Sequence, residues 1–434
     1  MPRTWVFTTT IGFAVLGLVG RSTAREAAGA GSDPYPLADA AECRPRDGLP
    51  NFLAKARTPG AEVRVAYLGG SITAQDGWRP KTQASFRKAY PDSKFSEINA
   101  AIGGTGSDLG VYRLKQDVLD HRPDLLFVEF ATNDGGASPD QIRRCMEGIV
   151  RQTWRALPSC DICFVYTLTE SAAGPMLAGK FPRSASVMEE VANHYGIPSI
   201  HMAMEVTRLA KEGRLIWTGP LPGPAGKVVF ANDGVHPYAE TGHELYLQAV
   251  VRSFGPIAAA SKDAKPHALG APLTPGNYEN ARLIPIGEAT LSSGFAPVDL
   301  EADPEFRHFG ARLRSLYRAS HPGDSITFKF KGTSASIYDV IGPSVGQVLV
   351  TVDGGPPRVA NRFDGFCLYN RLAVVPVATN LPDTVHTVKV EIDPREPDRM
   401  KILGERTKEI KQPERFRGTS FYPGAILVVG ELVK

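Results

Sequence analysis

Between residues 61 and 255, short apolar runs of strand character alternate with helix-length stretches, and this alternation leaves few folds open. Val63–Leu68 ends at Gly69-Gly70, Phe95–Ile102 ends at Gly103-Gly104, and Asp124–Phe130 runs into Thr132-Asn133-Asp134. Ile162–Leu168 and Ile197–His201 extend the series. Helical patterns fill the gaps over Leu109–Leu119, Pro139–Leu157, Ser184–Tyr195 and Met204–Gly213, and a closing helix is expected near Tyr238–Phe254. Strands joined by helix-length segments pair in parallel and are covered on both faces. Right-handed crossovers then predict a doubly wound, three-layer α/β/α sandwich, with ligands outside the carboxyl ends of the strands.

The pattern changes after the closing helix. A stretch rich in Ala, Pro and Gly follows, and beyond it the helical period disappears. Ile326–Phe330, Ala335–Tyr338, Val348–Val352 and Val385–Ile392 suit short strands, and Asp353-Gly354-Gly355 is a hairpin-type turn. An all-β sandwich or jelly roll is expected there. A chain of 434 residues is too long for a single core, so two domains are expected. The division reads as a signal peptide over 1–24, a lead-in over 25–60, the α/β domain over 61–255, a linker over 256–285 and the β domain over 286–434.

Arg3, the apolar stretch Trp5–Gly20 and the small residues Ser22-Thr23-Ala24 have the layout of a cleavable export signal. The expected location is therefore secreted or periplasmic, with no stable membrane insertion after cleavage. Lys and Arg number 49 against 46 Asp and Glu, and removal of Arg3 and Arg21 with the signal leaves 47 against 46. Such a balance, without a basic run interleaved with aromatics, argues against nucleic acid as a partner. Of the five cysteines, Cys160 and Cys163 have redox-motif spacing, but they open an apolar strand rather than a helix and read as structural. A lone pair does not make a four-ligand zinc site, and neither a metal nor a cofactor is expected.

Chemistry is expected at the strand ends. Ser71 follows Gly69-Gly70 at a strand-to-loop turn, where a serine is exposed as a nucleophile or simply caps a helix. Asp233 and His236, spaced by three, can turn toward one spot, so that the carboxylate holds the imidazole and the imidazole takes the serine proton. Read alone, the same spacing also suits a capping turn or half of a metal site. The backbone N–H groups of Ser71 and Gly104 and the side-chain amide of Asn133 can supply oxyanion donors, although a turn for Gly104 and a cap for Asn133 are the plainer readings.

Taken together, Gly69-Gly70-Ser71-Ile72-Thr73, Asn99–Gly104, Thr132-Asn133-Asp134 and Asp233-Gly234-Val235-His236-Pro237 resemble the ordered blocks of SGNH (GDSL-type) esterases over roughly residues 60–255. The resemblance implies a flavodoxin-like SGNH hydrolase domain with Ser71 as nucleophile, His236 as base, Asp233 as its orienter, and Ser71, Gly104 and Asn133 as the oxyanion hole. Two positions depart from the family pattern: Gly70 stands where the family usually has Asp, and Ala131 where it usually has Gly. The expected activity is hydrolysis of short-chain, above all O-acetyl, esters on a small molecule or polysaccharide. The alternatives are a lipase or lysophospholipase of the same fold, or a non-catalytic glycan-binding protein. His243 reads as structural, Asp76 as a substrate contact or solvated acid, Asp134 as a cap or loop brace, and Trp217–Gly226 as a rim of the cleft.

Overall fold

The computed structural model describes residues 35–434, so the expected export signal lies outside the described residues. The α/β unit contains strands β1 (Cys43–Arg44), β2 (Glu62–Gly69), β3 (Lys94–Asn99), β4 (Leu125–Glu129), β5 (Asp161–Tyr166) and β6 (Ser199–His201), in the order β1-β6-β5-β4-β2-β3. All neighbours run parallel except β1, which caps the sheet antiparallel to β6. The helices are α1 (Pro50–Ala56), α2 (Ser71–Ala74), α3 (Trp78–Ala89), α4 (Ser107–Asp117), α5 (Pro139–Ala156), α6 (Ala173–Leu177), α7 (Arg183–Tyr195), α8 (Met204–Lys211) and α9 (Gly242–Ala260).

Local chemistry accounts for these boundaries. β4 and β5 are buried along their whole length, as parallel strands covered on both faces must be. α5 begins where Ser138 Oγ accepts the Gln141 N–H at 3.2 Å and Pro139 takes the first helical position. The chain passes from β2 outward to β3 and then returns to place β4 on the other side of β2. The strand order therefore reverses between β2 and β4, and a crevice opens beyond their carboxyl ends.

Some elements differ from the sequence expectation. α9 starts at Gly242, because Pro237 and Tyr238 are held in extended pairing with Ala231 and Phe230. The same helix runs on to Ala260, into the Ala- and Pro-rich stretch. A parallel pair, β7 (Leu215–Thr218) with β8 (Val228–Ala231), brackets the stretch Trp217–Gly226 that the sequence marked as a rim of the cleft.

The remaining strands are β9 (Ala281–Pro285), β10 (Thr290–Leu291), β11 (Ala296–Pro297), β12 (Tyr317–Arg318), β13 (Ser325–Ile341), β14 (Gln347–Val352), β15 (Arg358–Asn361), β16 (Arg371–Ala378), β17 (Thr384–Ile392) and β18 (Tyr422–Val433). Every pairing among them is antiparallel, giving an all-β sandwich. The two short strands read at Ile326–Phe330 and Ala335–Tyr338 are one long strand, β13. Its first half pairs with β17, its second half with β16, and β18 runs along most of its length. A second apolar core, including Phe330, Ile337, Val350, Val390 and Ile426, fills this domain.

The two domains meet over apolar surface. Tyr338, Val340, Phe363 and Tyr422 pack into the same core as the α/β domain. The connecting segment is tied down as well: Glu147 on α5 accepts the backbone N–H groups of Leu273 and Thr274 at 2.5 and 2.8 Å, and His267 bonds the buried Asp161 at 2.7 Å. Docked in this way, the β domain presents one face to the carboxyl end of the α/β sheet.

Candidate active site

Ser71 is the first residue of the short helix α2, directly after β2. The turn beneath it is braced by a buried carboxylate, Glu129 at the end of β4. This group accepts the Thr73 hydroxyl at 2.9 Å and the Thr167 hydroxyl at 2.6 Å, and Trp78 Nε1 in turn donates to Thr73 at 3.3 Å. Burial pushes the Glu129 carboxyl above its ordinary value, and the bonds from Thr167, Thr73 and the Gly70 N–H act against that shift. Sequence reasoning passed over Glu129, although one acid inside the apolar run Leu125–Phe130 was a visible signal.

Asp233 and His236 lie in the tight loop between β8 and α9. Asp233 Oδ1 accepts the backbone N–H groups of Val235 and His236 at 2.9 and 2.8 Å, and Oδ2 bonds His236 Nδ1 at 2.7 Å. His236 Nε2 lies 2.8 Å from Ser71 Oγ, which completes a chain of two hydrogen bonds from carboxylate to hydroxyl. Burial opposes charge on Asp233, but the bonds from the His236 ring and the two backbone N–H groups outweigh it and hold the carboxyl below its ordinary value. Asp233 stays ionised and fixes the ring so that Nε2 faces the serine.

The other two strand ends converge on the same spot. Gly103 lies beside Ser71, so that a Cβ there would stand in ordinary contact 3.5 Å from Ser71 Cβ, and the next residue, Gly104, has φ +76° and an open flank. Asn133 follows β4 and packs against Gly70, and among the described residues its side chain makes no hydrogen bond to protein. The structure thus brings Ser71, Gly104, Asn133, Asp233 and His236 to one end of the sheet. A cavity of about 420 Å³ opens at Gly104, with Gly104, Thr105 and Asp108 on one wall and Asn361, Arg362, Asp364 and Arg371 of the β domain on the other. Leu109, Tyr338, Ile341, Leu372, Ala373 and Val374 also line it. The Arg362 guanidinium is held by Asp339, and Arg371 pairs with Asp364.

The remaining candidates have other places. His243 is buried and accepts the Trp78 N–H through Nδ1 at 3.2 Å; burial, with Lys81 and His236 adding, lowers its pKa to about 4. Asp76 is a solvated acid, its side chain 93% exposed and paired with Arg79. Asp134 accepts the Ser107 N–H at the start of α4. The segment leading into Trp217–Gly226 is tied to the Asp233–His236 loop through Thr218, which bonds Glu170, and through Glu170, whose N–H bonds Gly234. The five cysteines are free thiols; Cys160 and Cys163 are fully buried, and burial drives their pKa values well up, as structural positions require.

Residues 67–245 match the model of the GDSL-like lipase/acylhydrolase family. No curated protein matches the chain by sequence. Among solved structures, a two-domain esterase active on acetylated mannans, co-crystallised with mannopentaose, superposes with a TM-score of 0.69 at 20% identity, over 90% of this chain and 97% of its own. A second structure of a two-domain esterase active on acetylated mannans gives 0.67 at 21% identity, over 88% and 94%. The similarity extends over both domains and shows a common two-domain fold.

Proposed function

Residues 67–245 are a GDSL-like acylhydrolase domain, and from that premise we propose that the chain is an exported serine esterase that removes short acyl groups, acetyl above all, from a carbohydrate. The observation that carries the reading is the unbroken chain Asp233–His236–Ser71, at 2.7 and 2.8 Å. In the proposed mechanism the Ser71 hydroxyl gives its proton to His236 Nε2 as Oγ attacks the ester carbonyl. Negative charge gathers on the carbonyl oxygen, where the N–H groups of Ser71 and Gly104 and the Asn133 amide are the donors available to hold it. The imidazolium, stabilised by Asp233, then protonates the departing sugar oxygen, and Ser71 is left acylated. Water activated by the same imidazole releases the acid and restores the serine.

Two features favour a hydroxyl-rich substrate over a lipid. The cavity beside Gly104 sets Asp108, Asn361, Arg362, Asp364 and Arg371 among apolar residues such as Leu109, Ile341 and Leu372, a mixed lining that offers a sugar both hydroxyl partners and apolar contact. Its charged groups are also largely paired with one another, which suits a neutral, polyhydroxylated ligand. The fold partners named above act on acetylated mannans, and this supports a polysaccharide as the carrier of the ester. The test is acetate release from a panel of acetylated polysaccharides, beside chain-length preference on 4-nitrophenyl esters. Release from at least one glycan with preference for acetate supports the reading; preference for long acyl chains moves it to the lipases. Ser71→Ala retaining wild-type turnover ends the nucleophile assignment.

A further inference from the structure

Asp134 is a carboxylate almost wholly removed from solvent, 3% exposed, and among the described residues no basic side chain pairs with it. It follows Asn133 immediately, at the end of β4. Its Oδ1 accepts the backbone N–H of Ser107 at 2.9 Å, while Oδ2 is buried with no partner. Ser107 is the first residue of α4 and closes the loop that begins at Gly103. The Asp134–Ser107 contact therefore joins the loop carrying Gly104 to the loop carrying Asn133, across the β2–β4 crevice. The contact requires glycine at 106. A Cβ there would stand 2.3 Å from Asp134 Oδ1 and 2.9 Å from Asp108 Oδ1, and neither clash is relieved without moving a carboxylate.

We propose that Asp134 is a positioning residue that clamps the Gly103–Ser107 loop to Asn133 and so fixes the spacing of two oxyanion donors. The proposal rests on the assignment of Gly104 and Asn133 to the oxyanion hole. An ionised carboxylate here would lie in a desolvated site with the acids Asp108 on α4 and Glu129 on β4 nearby, and Cys145 on α5 as a further acidic group. The Arg183 guanidinium on α7 donates to the carbonyls of Gly135 and Ala137, the residues that follow Asp134 in the same loop. Burial, with Asp108 and Glu129 adding to it and the Ser107 bonds opposing it, pushes the Asp134 carboxyl up to about 7. An unpaired buried hydroxyl costs less than an unpaired buried charge.

The test measures kcat and KM on 4-nitrophenyl acetate for wild type, Asp134→Asn, Asp134→Ala, Ser107→Pro and the Asp134→Ala/Ser107→Pro double variant, with Ser71→Ala alongside. Asn keeps an acceptor oxygen for the Ser107 N–H, so Asp134→Asn is expected within about two-fold of wild type in kcat. Asp134→Ala is expected to lose kcat by roughly 10–10², the order of a misplacement of about 1 Å, with KM little changed. Ser107→Pro removes the donor and leaves Asp134 intact. Proline is favoured at the first helical position, and the extended backbone of Gly106 (φ −100°, ψ −172°) suits a residue preceding proline. It is expected to match Asp134→Ala, and the double variant is expected to lose no more than either single change. Should Asp134→Ala fail to fold, Ser107→Pro and Asp134→Asn carry the test. Wild-type kcat in folded Ser107→Pro, or an Asp134→Asn variant as impaired as Asp134→Ala, overturns the clamp. Activity persisting in Ser71→Ala instead overturns the site assignment on which it rests.

Discussion

The amide of Asn133 occupies the space that a side chain at Gly70 would need: a Cβ on Gly70 would stand 2.0 Å from Asn133 Oδ1. The departure from the family's usual Asp at this position is thus coupled to how Asn133 is seated. Gly70→Ala is expected to push Asn133 out of place and lower kcat on 4-nitrophenyl acetate, with KM affected far less. The magnitude is bounded by Asn133→Ala, for which the proposed loss of one oxyanion donor amounts to about 10²–10³. Equal kcat in wild type and Gly70→Ala would show that Asn133 does not serve the reaction from this position.

In the proposed mechanism Asp233 orients an imidazole, and its two backbone bonds hold the loop even when the ring bond is weakened. Asp233→Asn is therefore expected to fold normally while kcat falls by about 10⁴, because the amide favours the wrong tautomer of His236. Steady-state kinetics beside a thermal melt separates the two effects. A melt shifted as strongly as the activity would mean the carboxylate is chiefly structural.

Acid sensitivity is expected from His201, at the end of β6. It is fully buried against Phe181 and Tyr166, its Nδ1 accepts the Ala203 N–H at 3.3 Å, and burial lowers its pKa to about 3. An exposed imidazole titrates near ~6.5, so between these two values the unfolded chain binds the proton that the native protein refuses. This contribution to stability is complete above pH ~6.5 and is lost progressively as the pH falls toward 3. Urea midpoints at pH 7.5 and pH 5 are expected to differ less for His201→Phe than for wild type. An identical drop would remove His201 from the account.

The β domain carries a buried ion pair at the edge of the cavity, with Arg362 Nε and Nη2 donating to the two Asp339 oxygens at 2.8 and 2.7 Å. Removing one partner strands the other charge, which typically costs about 3–5 kcal/mol. Arg362→Ala is expected to lower the denaturant midpoint on that scale, and replacement of both residues by apolar ones to recover much of it. If the single variant is as stable as wild type, the pair is not desolvated in solution.

How much of this could be read in advance follows from the range of each interaction. The strand–helix alternation, the switch to antiparallel strands and the Asp233–His236 turn depend on neighbours within a few residues, and they were legible as patterns. The β13 strand was read as two pieces because Gly332 and Thr333 interrupt its apolar alternation, and only its pairing with β18 carries it through. Glu129, Asp134 and the glycine at 106 were not legible as a working set, since each is defined by a partner from another strand end.

The sequence by itself determined which chemical groups stand at the ends of the strands, because hydrophobic period and turn residues act locally. Only the tertiary structure decided that they meet. Ser71 and His236 are 165 residues apart, and their 2.8 Å contact exists because parallel pairing sets β2 beside β4 and the closing loop folds back over that edge. The docking of the β domain against Gly104 was decided at the same level, by apolar surfaces on both domains that are buried only when they face each other.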